Sequence, residues 1–245
     1  MESNNKEEQE TVRVFMDGAF DVMHYGHMNA FRLGRSLGTH LIVGVNSDES
    51  ITACKGPPLM NNEERLTMVQ SCKFVNQVIP ECPYVMTPEY LNYLFDQHRV
   101  DLVVHGDDPC IVDGKDVYAS AKATGRYRSI PRTEGISTTD LVGRILSLSD
   151  QEETSTTTTE PTTTTTTTAA LKPRYLGQRS QFLTTGNVLR QFGAGEKPCK
   201  PGMEIVYIDG AWDLFNCGHV AMLKAAKEVT YYPHVLLLFV SLAAL

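Results

Sequence analysis

At 245 residues, with 42% hydrophobic and 21% charged positions, the chain can bury a sizeable core as one large domain or two modest ones. Its formal net charge of −7 excludes a general nucleic-acid binder, because nothing would draw a phosphate backbone to the whole surface. Six cysteines without a CxxC pair argue against a zinc ribbon or a disulfide framework, and for free thiols in a reducing compartment.

The first residues, MESNNKEEQE, are polar and acidic and lack the apolar stretch of a signal peptide, so residues 1–11 are expected to be disordered and the protein cytoplasmic. Residues 12–16 form a short apolar run ending at Asp17-Gly18, which reads as a strand and a turn. A helix follows from about His24, with Ala30, Leu33 and Leu37 at spacings of three and four. Residues 41–45 read as a second buried strand. Asn62 is expected to cap a helix that turns Leu66 and Val69 inward. Residues 75–79 form a strand, and Thr87-Pro88 opens another helix, since proline suits the first helical position. Residues 102–104 form a strand running into His105-Gly106-Asp107-Asp108. A last helix starts near Thr138 and is expected to bury Leu141, Ile145 and Leu148. Alternation of this kind predicts an α/β fold, a Rossmann-like doubly wound parallel sheet over residues 12–150, with its ligand beyond the carboxyl ends of the strands.

Residues 154–168 are almost all threonine and cannot form a core, so residues 151–179 are expected to be a Thr-rich linker. Beyond it the chain repeats itself. Asp17-Gly-Ala-Phe-Asp-Val-Met-His-Tyr-Gly-His27 returns as Asp209-Gly-Ala-Trp-Asp-Leu-Phe-Asn-Cys-Gly-His219, again between an apolar strand and a helical pattern. Residues 180–245 therefore read as an incomplete second copy. The apolar residues 235–245 are too few for a membrane-spanning helix, which needs roughly 20, and read as a strand of that copy.

His24 and His27 lie three apart at a strand-to-helix turn, so both side chains face one way, at a helix N-terminus that favours anions. Two imidazoles there suit phosphate oxygens. A bare HxxH is also compatible with ordinary helix histidines, and it lacks the spacing and third ligand of a zinc helix. The repetition of the whole segment favours a ligand-binding turn.

The segment 18–27 resembles the HxGH signature of the cytidylyltransferase family, and Arg132-Thr-Glu-Gly-Ile-Ser-Thr-Thr139 resembles its second signature, RTxGISTT, with His105-Gly-Asp-Asp108 between them. Adenylyltransferases and class I tRNA synthetases share HxGH; length and the lack of a KMSKS-like loop disfavour a synthetase. Two such segments in tandem resemble the phosphoethanolamine-using members in particular. The resemblance implies transfer of CMP from CTP to phosphoethanolamine in phospholipid synthesis, and allows a peripheral place on the endoplasmic reticulum.

The resemblance also assigns roles. His24 and His27 would bind the CTP phosphates and stabilise the transition state. Lys55, in the loop Lys55-Gly-Pro-Pro58, would close on the phosphates, and Arg132 would hold the triphosphate. Gly18, Ala19 and Phe20 would line the nucleotide pocket, His105, Gly106, Asp107 and Asp108 would lie near ribose and base, and Thr133, Ser137, Thr138 and Thr139 would supply hydroxyls and N–H groups. A Mg²⁺ ion would be bound mainly through CTP. Simpler roles remain open: solvated surface for Lys55 and Arg132, an N-cap for Ser137-Thr138-Thr139, a turn for Asp107-Asp108-Pro109. The second copy has Asn216 where the first has His24, so no turnover is expected there. Phosphocholine, glycerol phosphate or, with ATP, an adenylyl transfer are alternative activities. A catalytically impaired chain acting as a regulatory or decoy partner, self-associated or paired with a longer homologue, is the alternative of another class.

Overall fold

The computed structural model describes residues 11–155, 204–210, 212–228 and 235–241. Nine strands and seven helices are described. In chain order they are β1 (Arg13–Gly18), α1 (Tyr25–Ser36), β2 (His40–Asn46), α2 (Asp48–Lys55), α3 (Asn62–Ser71), β3 (Gln77–Cys82), α4 (Pro88–His98) and β4 (Leu102–Gly106), then β5 (Ile111–Val112), β6 (Lys115–Asp116), α5 (Ala119–Ala123), β7 (Tyr127–Ile130), α6 (Thr138–Ser155), β8 (Glu204–Gly210), α7 (Cys217–Glu228) and β9 (Val235–Ser241).

Five strands form one parallel sheet in the order β3-β2-β1-β4-β7. From β1 the chain builds outward to β2 and β3 on one side, then crosses to β4 and β7 on the other. The strand order therefore reverses between β1 and β4, where such sheets open a crevice at their carboxyl ends.

The central strands are buried on both faces, and successive side chains point to opposite faces as the pleat requires. Val14 and Met16 of β1 join Leu41, Val43 and Val45 of β2 on one face, with Phe31 of α1 and Met68 and Val69 of α3. Phe15, Ile42 and Val103 face the other way, against Leu91 and Leu94 of α4 and Ala121 of α5. Helix α1 lies close to the sheet because Gly34 has no side chain; a Cβ there would stand 2.2 Å from Met16 Sδ.

The local signals acted largely as expected. Thr87 caps α4, accepting from Tyr90 N, and Pro88 is its first residue. The α3 cap is Asn61, one residue before the predicted Asn62, and a reciprocal bond from the Asn61 amide to Glu64 completes it. Residues 75–79 start the third strand two positions too early, since Val75 N turns back to Cys72 O. Ile145 on α6 is 43% exposed rather than buried. Helical spacing marks an apolar stripe but does not supply a surface to cover it.

Beyond residue 203, β8 and β9 pair in parallel, Asp209 opposite Val240 as Asp17 is opposite Gly44. The apolar residues 235–241 thus lie in a strand. Val220 of α7 is buried in the first core cluster, and α7 packs against α3. Residues 151–155, expected to begin the linker, instead continue α6, because the helix runs on to Ser155. The rest of the predicted linker and residues 1–10, expected to be disordered, lie outside the described residues. No helix among the described residues is long and apolar enough to cross a membrane.

Candidate nucleotide site at the carboxyl edge of the sheet

A cavity of about 860 Å³ opens over the carboxyl ends of β1 and β4. Its wall includes Gly18, Ala19, Phe20, His24, His27, Lys55, His105, Gly106, Asp108, Arg132, Thr133, Ser137, Thr138 and Thr139. Every sequence-predicted site residue except Asp107 thus reaches one cavity, from four separated segments. Asp107 is exposed and does not line the cavity; its carboxylate accepts from the Arg132 amide at 3.0 Å.

The histidine turn is built by its own side chains. His24 Nδ1 accepts from Gly26 N at 3.0 Å, and His24 N donates to His27 Nδ1 at 3.3 Å, so the two imidazoles form a reciprocal cap on α1. A nitrogen that accepts carries no proton. Each neutral ring therefore holds its hydrogen on Nε2 as a donor. Gly26 is required for this fold-back, because a Cβ there would lie 2.8 Å from His24 Cε1. Burial is the main cause that lowers His24 to a pKa of about 4 and His27 to about 3; the Arg132 charge adds to both. Both rings are neutral at pH 7.

Lys55 is the last residue of α2 rather than part of the following loop, and its ammonium lies 5.3 Å from the centre of the Tyr84 ring. Arg132 donates from NH1 to Asp108 Oδ2 at 2.6 Å, an exposed pair of the kind worth at most about 1 kcal/mol. Both cations are exposed. Several predicted hydroxyls already have internal work. Ser137 Oγ accepts from Asp140 N and donates to its carboxylate, as an N-cap does, and Thr138 Oγ1 donates to Asp21 O. Thr133 Oγ1 accepts from Asn29 Nδ2.

Other residues of the cavity carry no local sequence signal. Asp17 is buried at the end of β1, where Tyr118 OH donates to it at 3.0 Å and Asn46 supplies a further hydrogen bond. Burial pushes its pKa up to about 7. Tyr118 stacks on His105 with ring centroids 4.3 Å apart, and Tyr84 forms another aromatic wall. His105 donates from Nδ1 to Gly106 O, and burial lowers its pKa. The fully buried Arg65 supports the site from outside the cavity. It donates to Ala19 O, Asn46 O and Met60 O and pairs with Asp48 at 2.6 Å, fixing three loops at once.

The second turn repeats the backbone of the first. Trp212 and Leu214 adopt φ of 51° and 47°, as Phe20 and Val22 adopt 51° and 45°. Asn216 Oδ1 caps Gly218 N, and Asn216 N donates to His219 Nδ1. The cap survives, while the imidazole that could donate outward does not.

A family model described as cytidylyltransferase-like matches residues 15–144. The chain is 46% identical over 232 residues to an ethanolamine-phosphate cytidylyltransferase of Arabidopsis thaliana, covering 89% of this chain and 54% of that protein. It is 40% identical over 251 residues to the ethanolamine-phosphate cytidylyltransferase of Mus musculus, covering 94% and 61%. Similarity to choline-phosphate cytidylyltransferase A of Rattus norvegicus is 44% over 138 residues, covering 55% of this chain and 36% of that one. The chain spans little more than half the length of the first two relatives.

Proposed function

The chain belongs to the cytidylyltransferase-like family, and on that premise we propose that it transfers CMP from CTP to phosphoethanolamine, releasing pyrophosphate. The observation that carries this reading is the convergence of two outward imidazole N–H donors, Lys55 and Arg132 on one cavity.

A phosphomonoester oxygen attacks the α-phosphorus of CTP. The new P–O bond forms as the bond to the β-phosphate oxygen breaks, and pyrophosphate carries the electron pair away. The nucleophile is already largely an anion at neutral pH, so no base is needed. The imidazoles fit this chemistry: with Nδ1 occupied by the backbone and Nε2 protonated, they donate rather than accept. Catalysis then reduces to alignment and to donors preorganised where charge builds on phosphate oxygens. Magnesium bound to the triphosphate would neutralise part of that charge. Such an ion would be carried mainly by the nucleotide's own oxygens.

Ethanolamine is supported in two ways. The ethanolamine-phosphate relatives match about nine tenths of the chain, through the second copy, whereas the choline-phosphate relative matches 55%. The cavity also holds the Asp17 carboxylate beside Tyr84 and Tyr118. An ammonium with three N–H donors can use a carboxylate that a quaternary ammonium meets by charge alone.

The test is pyrophosphate release by this chain with CTP and Mg²⁺, supplied in turn with phosphoethanolamine, phosphocholine and glycerol phosphate, and again with ATP. Phosphoethanolamine with CTP should be fastest. Equal rates with ATP would overturn the nucleotide assignment, and faster turnover of phosphocholine would overturn the acceptor.

A further inference from the structure

We propose that Asp21 is a positioning residue that latches the segment after Lys55 to the histidine turn and so sets where the Lys55 ammonium can reach; this rests on the functional reading above. Asp21 Oδ2 accepts from Leu59 N at 2.8 Å and Oδ1 from Met60 N at 2.9 Å, across 38 and 39 residues of sequence. Its own carbonyl accepts from Thr138 Oγ1 at 3.1 Å. One residue thus joins the turn that carries His24, the segment that follows Lys55 and the N-terminus of α6.

Little else holds Leu59. Leu59 is 67% exposed, so apolar burial holds the loop at Met60 but not at Leu59. Met60 is gripped from both sides, its N–H by Asp21 and its carbonyl by Arg65 Nε at 3.2 Å. Between Lys55 and Leu59 stand only Gly56, Pro57 and Pro58. Two prolines stiffen the path. Gly56, at φ 97° with no atom within 4 Å of a would-be Cβ, is left as the pivot. Asp21 thus tethers the carboxyl end of α2, where Lys55 stands, through a link of three residues. The Asp21 backbone is itself placed with care: Phe20 and Val22 on either side both hold positive φ, which a β-branched residue such as Val22 adopts only where its surroundings impose it.

Amide hydrogen exchange on the unmodified, ligand-free chain tests the latch without any variant. The Leu59 and Met60 amides should exchange at least about tenfold more slowly than in an unfolded chain. In Asp21→Ala that protection should vanish while β2 amides keep theirs, and Asp21→Asn, with one acceptor oxygen left, should fall between. The kcat/KM for CTP should drop by about tenfold in Asp21→Ala, but Asp21→Ala added to Lys55→Ala should cost almost nothing more, because the latch acts through that lysine. Unprotected Leu59 and Met60 amides in the unmodified chain would overturn the proposal. So would an equal loss of kcat/KM with and without Lys55. If Asp21→Ala does not fold, the exchange measurement and Asp21→Asn decide. A chain that released no pyrophosphate from CTP would sink the functional reading and leave amide exchange to decide the latch.

Discussion

The ring centroids of His24 and His27 lie 4.0 Å apart, and each ring is bound through Nδ1 to the backbone of the turn that carries it. The same atoms that cap α1 thereby aim two Nε2–H donors outward. Under the proposed function, helix capping and phosphate recognition would be one structural device. The second copy separates them, because Asn216 retains the cap and cannot present an imidazole.

That comparison suggests a variant with its own control. His24→Asn should keep α1 capped through Oδ1, with thermal unfolding within a few degrees of the unmodified chain, since an Asn cap is among the best. Turnover should fall by about 10²-fold, the scale for one lost preorganised donor. Calorimetry and pyrophosphate release on the same preparation check both halves.

Lys55→Ala and Arg132→Ala should each lower kcat by about 10²-fold or more, because each removes a cation meant for the charge of the transition state. Asp108→Asn should differ in kind. It frees Arg132 from an exposed ion pair, so the KM for CTP should change by no more than about fivefold. Steady-state kinetics in CTP distinguishes the two classes.

Arg65→Met should destabilise the fold by about 2–3 kcal/mol, because it removes a fully buried guanidinium and leaves three carbonyls without their donor. Urea unfolding measures it. A loss under 1 kcal/mol would mean that the loops around Ala19, Asn46 and Met60 are held by something else.

Asp17 makes two pH predictions of opposite use. Its pKa rises from 3.8 to about 7 on folding, so the folded state holds the proton more tightly than the unfolded one. Stability is fully present below about pH 4 and is lost as pH rises through about 7, where the cost reaches a few kcal/mol at about 1.4 kcal/mol per unit. Asp17→Asn should therefore gain stability over the unmodified chain as pH rises from 5 to 8, read from melting temperatures. Binding of an ammonium needs the carboxylate, so the KM for phosphoethanolamine should rise as pH falls below about 7, and in Asp17→Asn only the shallower slope of the substrate phosphate, whose second pKa is about 6, should remain.

The elements legible in the sequence were those whose signals are local. The alternation of β1 and β2, the Thr87-Pro88 start of α4 and the repeated Asp17–His27 segment each declare themselves within a dozen residues. Lys55 was legible as a candidate, yet its place at the end of α2 was not, since the short α2 shows little periodic pattern. Asp17 and Tyr118 are 101 residues apart and meet only because β1 and the α5 region converge. Nothing local announces such a pair. Arg65 was hidden for a related reason: a cation on a helix reads as solvated until three carbonyls from other segments are seen to surround it.

Nitrogen-15 spectra of the histidine side chains, taken while CTP is added, test most directly whether the turn meets a triphosphate as described. Before addition, His24 and His27 should show unprotonated Nδ1 and protonated Nε2 at pH 7; on addition, their Nε2 resonances should move together and saturably, while His40 and His98 stay still. Nε2 signals of His24 and His27 that ignore CTP, or an Nδ1 that carries the proton, would contradict the account.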